Sequence, residues 1–390
     1  MKAPPAPACG TQEKLEFLRD PRHYPDRPTR VTVVETHFAW VFLTGRHAYK
    51  MKKPMQQASM DYRTIADRER GCRNELRLNR RLARSVYVGV VPLARSRNGE
   101  LVLGRGRSVV DWLVKMHRLP ARRMLDRAIA DGTVTRGDLD ALTGVLSTFF
   151  KRARREPMRD LAYRQRLRAR TLQNARDLRS PDLRLNRSRV DAVIRAQLDF
   201  IAADKCSLAA RGTRLVEGHG DLRPEHVCLG ARPCVIDCLE FDRDLRRLDP
   251  AEEMAFLALE CARLGATHLG ADLLRRYRAA MHDPVTDALM QYYMSQRAVT
   301  RAKIAAWHVR DPRYTSRRPW LARANSYLAD ALRYARAALR GIERERPSLV
   351  HGHRPSAQQR GERLPRQHAP YSLAQQRPDG QRDEFVGRGD

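Results

Sequence analysis

The sequence predicts an α+β fold with two lobes: a small antiparallel β lobe with one helix, then a larger, mainly helical lobe. Residues 30–118 alternate short β-branched and aromatic runs with turn signals, as strands do. Residues 119–344 carry apolar side chains at helical spacing, interrupted at 217–242 by a polar loop and two short apolar runs. Residues 1–29 read as a Pro-rich N-terminal extension, and 345–390 as a basic tail too polar to order itself.

The predicted β lobe has two lysines on one strand face and a glutamate on its helix. On its third strand Ala48, Lys50 and Lys52 share one face, because side chains alternate along a strand. On its helix Glu75 shares a face with Leu78 at helical spacing. The predicted strands are 31–36, 38–43, 47–53, 86–93, 101–103 and 109–116, with helices over 13–18 and 61–84.

The second lobe is predicted to consist of eight helices. Thr135 is a start signal for one of them, and Gly265 a stop signal for another. Arg297 and Arg301 lie at helical spacing with Lys303 close by, so they either face an anionic substrate or form a solvated face, and we favour the solvated face. The predicted helices are 122–131, 136–155, 161–178, 188–210, 250–263, 268–282, 286–309 and 318–344.

The interruption in the helical lobe contains several acids and two histidines. His219 and Asp221 lie in its polar loop, and Asp237 ends its second apolar run. If the runs 226–229 and 234–238 pair as a hairpin, Asp221 and Asp237 come close together. Two carboxylates held in this way suit one as a base and the other as a metal ligand.

Other polar residues of this stretch have two interpretations each. Glu240 and Asp242 are expected to be solvated acids at the hairpin end, with contact to a metal or substrate as the alternative. His226 is either a structural loop histidine or a ligand. The hairpin cysteines lack a Cys-x-x-Cys spacing, so we expect small buried side chains rather than a zinc site with His226.

Charge is the strongest compositional signal. Lys and Arg number 75 against 45 Asp and Glu, which gives a formal net charge of +30. Such a balance favours polyanion partners. However, arginine is interleaved with acids along the helices and aromatic residues are few, so we do not expect nucleic acid as a partner, although the charge leaves it open. A polyanion-binding protein therefore remains one hypothesis.

Two further features concern the compartment. No run of about 18 apolar residues occurs, so we expect no transmembrane helix, and the N-terminus lacks the apolar core of a signal peptide. The seven cysteines are odd in number and scattered, which fits a reducing environment. We therefore expect a cytoplasmic protein.

Several segments resemble one family of kinases. The loop His219–His226 resembles the His-Gly-Asp-Leu-His-x-x-Asn motif of the aminoglycoside phosphotransferase and choline kinase-like family, which has a protein kinase-like fold. Val235–Asp237 resembles its Ile-Asp metal motif, and Arg247–Ala255 its Asp-Pro-x-x-Asp-Leu-Ala segment. Residues 35–45, 48–54 and 75–82 resemble an uncharacterised bacterial branch, some members of which carry a P-loop ATPase domain. No P-loop motif occurs in these 390 residues, so we expect no such domain.

The resemblance implies an ATP-dependent phosphotransferase that moves the γ-phosphate to a hydroxyl of a small molecule. Asp221 would be the catalytic base, and Asp237 would bind Mg²⁺. Lys50 would contact the nucleotide phosphates and Glu75 would hold it, with Lys52 as the alternative phosphate lysine. His219 would brace the loop. The phosphoryl acceptor, and ATP versus GTP, are not fixed by the motifs.

Four departures from the family pattern bear on activity. His226 stands where the motif has a metal-binding Asn, and a neutral imidazole is a softer ligand for Mg²⁺ than an amide oxygen. Arg223 replaces the second loop His, and its guanidinium is suited to phosphate. Residues 35–39 have no glycine where a Gly-rich phosphate loop is usual, and Glu253 replaces an Asp. These departures motivate a second hypothesis: a pseudokinase that binds nucleotide or a partner without transfer.

Overall fold

One antiparallel sheet of six strands forms the N-terminal part of the protein. The computed structural model describes residues 9–57, 60–310 and 316–345. The sheet order is first, second, third, eighth, sixth and seventh strand, while the fourth and fifth form a separate pair. In chain order the strands are β1 (Thr32–Glu35), β2 (Ala39–Leu43), β3 (His47–Lys52), β4 (Gln56–Gln57), β5 (Met60–Asp61), β6 (Tyr87–Arg95), β7 (Leu101–Leu103) and β8 (Ser108–His117).

The two faces of this sheet bury different sides of β3. Tyr49 and Met51 pack beneath α1 (Thr11–Arg19), which covers one face through Leu15 and Leu18. Ala48 packs on the other face with Cys72 of the second helix. Because side chains alternate along a strand, Lys50 and Lys52 lie with Ala48 on the face that is covered by the second helix.

The helix of the β lobe, α2 (Ile65–Asn79), begins later than the predicted start at residue 61. Met60 and Asp61 instead pair with Gln57 and Gln56 as β5 and β4. Thr64 is the N-cap, and its side chain accepts a hydrogen bond from the backbone of Asp67. The helical spacing of Glu75 and Leu78 is kept, so both side chains are buried.

Nine helices follow within the described part of the chain. Thr135 and Asp138 form a capping box at the start of α4, as its start signal predicted. The helix predicted over 188–210 is divided in two at Asp204, whose side chain accepts a hydrogen bond from Ser207 N. The helices are α3 (Leu125–Ala130), α4 (Arg136–Arg152), α5 (Asp160–Leu178), α6 (Arg187–Ala203), α7 (Lys205–Ala209), α8 (Pro250–Arg263), α9 (Thr267–Met281), α10 (Asp287–His308) and α11 (Arg318–Glu345).

Helix α8 lies in the centre of the helical lobe and starts beside the polar loop. Its residues Pro250 to Cys261 are all buried. Its N-cap, Asp249, accepts two hydrogen bonds of 2.6 Å from Arg211, which also pairs with Asp283. A buried charge is stable only when it is paired and hydrogen-bonded, so this network fixes where α8 begins.

Four short strands frame the polar loop. β9 (Val216–Glu217) pairs with β12 (Arg247–Leu248), and β10 (Val227–Cys228) pairs with β11 (Cys234–Val235) as the predicted hairpin. The α+β prediction, an antiparallel sheet lobe followed by a mainly helical lobe, is therefore confirmed. The predicted tail lies outside the described residues except for Glu345, and no helix within them has the length and apolar content to cross a membrane.

Candidate active site

The backbone of the polar loop is held by one buried carboxylate of α8. Glu253 accepts hydrogen bonds from His219 N at 2.9 and 3.0 Å and from Gly220 N. Gly218 is required beside it, because a Cβ there would lie 2.7 Å from Glu253 Oε2. Burial raises the pKa of Glu253, and the two backbone donors oppose that rise. Glu253 thus anchors the loop, although the motif that this segment resembles has Asp at the same position.

His219 links the loop to the hairpin. Its Nε2 lies 2.9 Å from the carbonyl oxygen of Ile236, and its Nδ1 lies 3.3 Å from Asp221 N. Nε2 therefore carries the proton, and Nδ1 accepts. Burial is the main cause that lowers the pKa of His219 to about 3. The imidazole is neutral at physiological pH and acts as a structural bridge.

Asp221 is engaged by the arginine that follows it. Arg223 places Nε 3.0 Å from Oδ1 and Nη2 2.9 Å from Oδ2 of Asp221. Burial raises the pKa of Asp221, but the charge and hydrogen bonds of Arg223 outweigh burial and lower it to about 2. The carboxylate is therefore ionised over the whole physiological range. Each of its oxygens still has a lone pair for a further donor.

Asp237 projects from a strained turn into the cleft. Its φ is +63°, a left-handed conformation that costs energy in a residue other than glycine. Its N–H donates to the Tyr87 hydroxyl at 3.2 Å, and the next N–H donates to Asn79 Oδ1 at 2.9 Å. The β lobe thus holds the turn. Partial burial opposes ionisation of Asp237, but Lys50, 2.5 Å away, keeps its pKa well below the usual range.

His226 lies between the two carboxylates. Its Nδ1 lies 2.8 Å from the backbone oxygen of Asp221 and 3.6 Å from Oδ2 of the same residue. Its Nε2 lies 3.1 Å from Arg223 Nη2 and 3.6 Å from Asp237 Oδ2. Nδ1 must therefore be the donor, and the Nε2 lone pair accepts from Arg223 Nη2. The hairpin brings Asp221 and Asp237 together through this ring.

Both candidate lysines contact the predicted glutamate. Lys50 Nζ lies 3.0 Å from Oε1 of Glu75 and 2.5 Å from Oδ1 of Asp237. Lys52 Nζ lies 2.6 Å from Oε2 of Glu75 and also pairs with Glu240, which accepts from the Tyr62 hydroxyl at 2.8 Å. Burial opposes charge on each lysine, but the surrounding carboxylates raise both pKa values well above the ordinary one.

These groups line a single cleft with a volume of about 1030 Å³. One end of the cleft, between β3, β8 and the β10–β11 hairpin, is apolar. The other end, beside α10, is polar and aromatic. The tip of the β1–β2 hairpin lies over the cleft, with Phe38 6.1 Å from Phe241 and His37 5.1 Å from His308 between ring centres. The apolar end is lined by Val41, Ala48, Val86, Met116, Leu119 and Ile236.

Two predictions of solvated side chains are wrong. The Glu240 side chain is 10% exposed, because it is buried against Lys52 and Tyr62. Arg297 is 7% exposed, and Arg301 also lines the cleft, so α10 does not present them as a solvated face. Asp242 does lie at the hairpin end, where it accepts from Asp244 N at 2.8 Å.

Sequence reasoning missed the residues that join the two lobes. Arg81 donates to the carbonyl oxygens of Glu217 and Gly218, each at 2.7 Å. Asn79 and Tyr87 hold the Asp237 turn, as described above. Asn79 gave a signal, since it shares the buried face of α2 with Glu75, where an amide needs a partner.

Asp237 and His226 are the cleft groups that could hold a metal ion. Within residues 9–57, 60–310 and 316–345, no three His, Cys, Asp or Glu side chains are arranged to hold a metal. On the cleft side, Asp237 Oδ2 lies 3.6 Å from His226 Nε2, whereas Asp237 Oδ1 is held by Lys50. Because Mg²⁺ usually keeps water and phosphate oxygens among its six ligands, one or two protein ligands suffice.

Comparison with curated proteins finds uncharacterised mycobacterial relatives. No family model matches the chain. Uncharacterised proteins of Mycobacterium bovis and Mycobacterium tuberculosis are 33% identical over 279 residues, which is 70% of this chain and 54% of theirs. The chain therefore spans about half the length of the curated relatives that it matches.

Solved structures with a similar arrangement are small-molecule kinases. A choline/ethanolamine kinase family protein of Mesorhizobium loti is 13% identical, with a TM-score of 0.47 over 83% of this chain and 99% of its own. Choline kinase of Cryptosporidium parvum is 9% identical, with a TM-score of 0.49 over 84% of this chain and 97% of its own. A glucosamine kinase bound to glucosamine and ADP is 16% identical, with a TM-score of 0.43 over 82% and 83%. These are the kinds of protein that the sequence motifs resemble.

Proposed function

We propose that the protein is a magnesium-dependent phosphotransferase that moves the γ-phosphate of ATP to a hydroxyl of a small molecule. The observation that carries the proposal is the succession Lys50, Asp237, His226 and Asp221 in one cleft, each within 3.6 Å of the next. Phosphoryl transfer needs positioning and compensation of charge more than covalent help from the protein. A cation, a metal ligand and a carboxylate base in this order supply these requirements.

The nucleotide would enter the cleft from its apolar end. A flat base fits between Ala48 of β3, Met116 of β8 and Ile236 of the hairpin, which line that end. Since Lys50 follows Ala48 on the same strand face, its ammonium lies where the phosphates of such a nucleotide would be. The turn at residues 36–38 has no glycine, so we expect side chains and Lys50, rather than a backbone cradle, to hold the phosphates.

Lys50 is the better candidate for the phosphate lysine. Lys52 is only 2% exposed and is paired on both sides, with Glu75 and Glu240. Lys50 is 15% exposed, and Asp237, one of its partners, is 44% exposed at the cleft. Glu75 would remain a partner of Lys50 when Asp237 is engaged by metal. We therefore assign contact with the nucleotide to Lys50. Lys52 is assigned the role of holding Glu75 in position.

Metal binding falls to Asp237, with His226 as the second candidate ligand. When bound, Mg²⁺ would supply positive charge to the phosphate oxygens. The Asp237 carboxylate is kept ionised by Lys50, so it is ready to bind a cation at neutral pH.

Asp221 would orient the acceptor hydroxyl and take its proton. With a pKa of about 2, it is a weak base and suits a loose transition state, in which the proton leaves late. Arg223 keeps the carboxylate ionised and in place, and its guanidinium also lies on the cleft where phosphate would pass.

The substitution Asp221→Asn tests the proposal. It keeps the size and hydrogen-bonding reach of the side chain but removes the base. We expect phosphoryl transfer to be lost while binding of Mg-ATP, followed by calorimetry, is retained. Transfer at the wild-type rate in Asp221→Asn would overturn the assignment.

A specific observation also favours the pseudokinase hypothesis. Asp221 is covered by Arg223 on both oxygens, and Asp237 is paired directly with Lys50. A protein that only binds nucleotide could keep both carboxylates in this state. Binding of Mg-ATP without ATP consumption on a broad panel of alcohols would support this second function.

A further inference from the structure

One face of α10 forms the wall of the cleft opposite the β lobe. Its residues lie three or four positions apart, the spacing of a single helical face. The face combines cationic groups with an apolar and aromatic surface. Its members are Arg297, Thr300, Arg301, Ile304 and Trp307.

The cations of this wall face the cleft, and the acids that balance them lie elsewhere. Arg297 Nε lies 3.0 Å from Glu252, which also pairs with Arg170. Arg301 Nε lies 3.8 Å from Glu260. Neither Glu252 nor Glu260 is among the described residues that line the cleft. The surface met by a ligand at this end is therefore cationic.

Arg301 has unused hydrogen-bonding capacity. Its 3.8 Å separation from Glu260 is too long for a hydrogen bond, and Nε finds no acceptor among the described residues. Glu260 accepts instead from the Tyr327 hydroxyl, with 3.0 Å to each oxygen. A guanidinium has five N–H donors in a planar fork, which fits the paired oxygens of a phosphate or carboxylate.

Four carboxylates line the described part of the cleft, and each is already paired with a cation: Asp221 with Arg223, Asp237 with Lys50, Glu240 with Lys52, and Glu75 with both lysines. An ammonium group on the acceptor would meet Arg223, Arg297 and Arg301 without an acid of its own. An anionic group would instead gain hydrogen bonds from Arg301. Charge thus discriminates strongly between acceptors in a partly enclosed site.

We propose that the arginine face of α10 binds a phosphate or carboxylate group of the acceptor, so that the substrate class is an anionic alcohol. The carbon skeleton of the acceptor would lie against Ile304 and Trp307 of the same face. The substrate class rests on the proposed function, because it takes the hydroxyl beside Asp221 as the point of transfer.

Inorganic phosphate binding tests the site without turnover. Phosphate is titrated calorimetrically into the full chain saturated with Mg²⁺ and a non-hydrolysable ATP analogue. We expect saturable binding that weakens about ten-fold or more in Arg301→Gln, as the loss of a charged hydrogen bond predicts. The matched control is Arg168→Gln, at an exposed position of α5, and it should bind phosphate as the wild type does. Absence of saturable binding, or equal affinity in Arg301→Gln, overturns the proposal.

Turnover separates this proposal from the proposed function. Hexoses that differ in charge are compared as acceptors: glucose, glucosamine, glucuronate and glucose 6-phosphate. The anionic pair should react best, and Arg301→Gln should raise KM for the acceptor while leaving KM for ATP unchanged.

Preference for glucosamine, or an equal rise in both KM values, counts against the anion site but leaves phosphotransfer standing. Failure of the ATP analogue to bind counts against phosphotransfer, and the phosphate titration without analogue then decides the anion site.

Discussion

Lys52 and Glu75 form an ion pair within the β lobe, with Nζ 2.6 Å from Oε2 and side chains that are 2% and 0% exposed. The other oxygen of Glu75 lies 3.0 Å from Lys50. One carboxylate therefore serves two ammonium groups on the same strand. The two lysines are close in sequence but differ in exposure, at 15% for Lys50 and 2% for Lys52, and on this difference we base the proposed roles of nucleotide contact for Lys50 and structural support for Lys52.

The two lysines are expected to fail in different ways when replaced. Lys52→Met removes a buried partner of both Glu75 and Glu240, and the loss of one member of a buried pair costs about 3–5 kcal/mol. Lys50→Met is expected to cost less stability, because Asp237 is partly exposed, but to abolish transfer. Urea unfolding and a coupled ADP assay measure the two effects. A larger loss of stability in Lys50→Met would contradict the assignment.

Glu253→Gln is expected to loosen the polar loop. The carboxylate accepts N–H groups from His219 and Gly220, whereas an amide offers one oxygen and turns an NH₂ toward a donor. Hydrogen bonds to a charged group contribute about 1.5–3 kcal/mol, and we expect a loss of this size together with a lower kcat. Glu100→Gln, in an exposed loop, is the control. Stability equal to that control would show that Glu253 does not hold the loop.

His219 should make the protein less stable at mildly acidic pH. Its pKa in the folded protein is about 3, while an unfolded histidine titrates near 6.5. The unfolded chain therefore binds the proton first, and the stabilisation present above about pH 6.5 is lost as the pH falls toward 3. The loss attributable to His219 is about 2 kcal/mol at pH 5.

The comparison of wild type with His219→Gln isolates this effect. Glu253 and Glu260 titrate in both proteins, so their contribution cancels in the difference between the two free energies of unfolding. Urea unfolding at pH 7.5, 6 and 5 gives the free energy of unfolding of each. The difference in the free energy of unfolding between the wild type and His219→Gln should become smaller as the pH falls. A constant difference across the three pH values would show that His219 does not titrate as proposed.

His226→Asn tests whether the departure from the family motif weakens magnesium binding. The amide oxygen is a harder ligand than imidazole, and the amide N–H₂ can still donate to the Asp221 carbonyl. We expect half-maximal transfer at a lower Mg²⁺ concentration, with little change in stability. Titration of activity with MgCl₂ measures the shift. A higher Mg²⁺ requirement would assign His226 as an essential ligand or positioning residue.

The elements of the fold were largely predictable because their signals are local. The alternation of β3 placed Lys50 and Lys52 on one face, and helical spacing buried Glu75. The pairing of 226–229 with 234–238 followed from two short apolar runs and a turn. Where pairing between distant segments intervened, local signals failed: β4 and β5 displaced the first turn of the helix predicted from residue 61.

The surroundings of the site were less predictable, because they depend on contacts between distant residues. Glu240 looked solvated, yet it pairs with Lys52, 188 positions earlier in the chain. Arg297 looked solvated because α10 is buried on most of its circumference and has little apolar periodicity to show which side faces a cleft. The motif resemblance supplied roles for Lys50 and Asp237, but it gave no information about Asn79 or Tyr87.

The contacts of Arg81 and Asn79 have a mechanical consequence. The helix that carries Glu75 is fastened directly after its end to the backbone of Glu217 and Gly218, and through Asn79 to that of Cys238. Glu75, which pairs with Lys50, and the polar loop are therefore anchored to the same helix, so we expect closure around a ligand not to hinge between them. We expect motion at the opposite rim, where ring contacts of His37 and Phe38 connect the β1–β2 hairpin to the helical lobe.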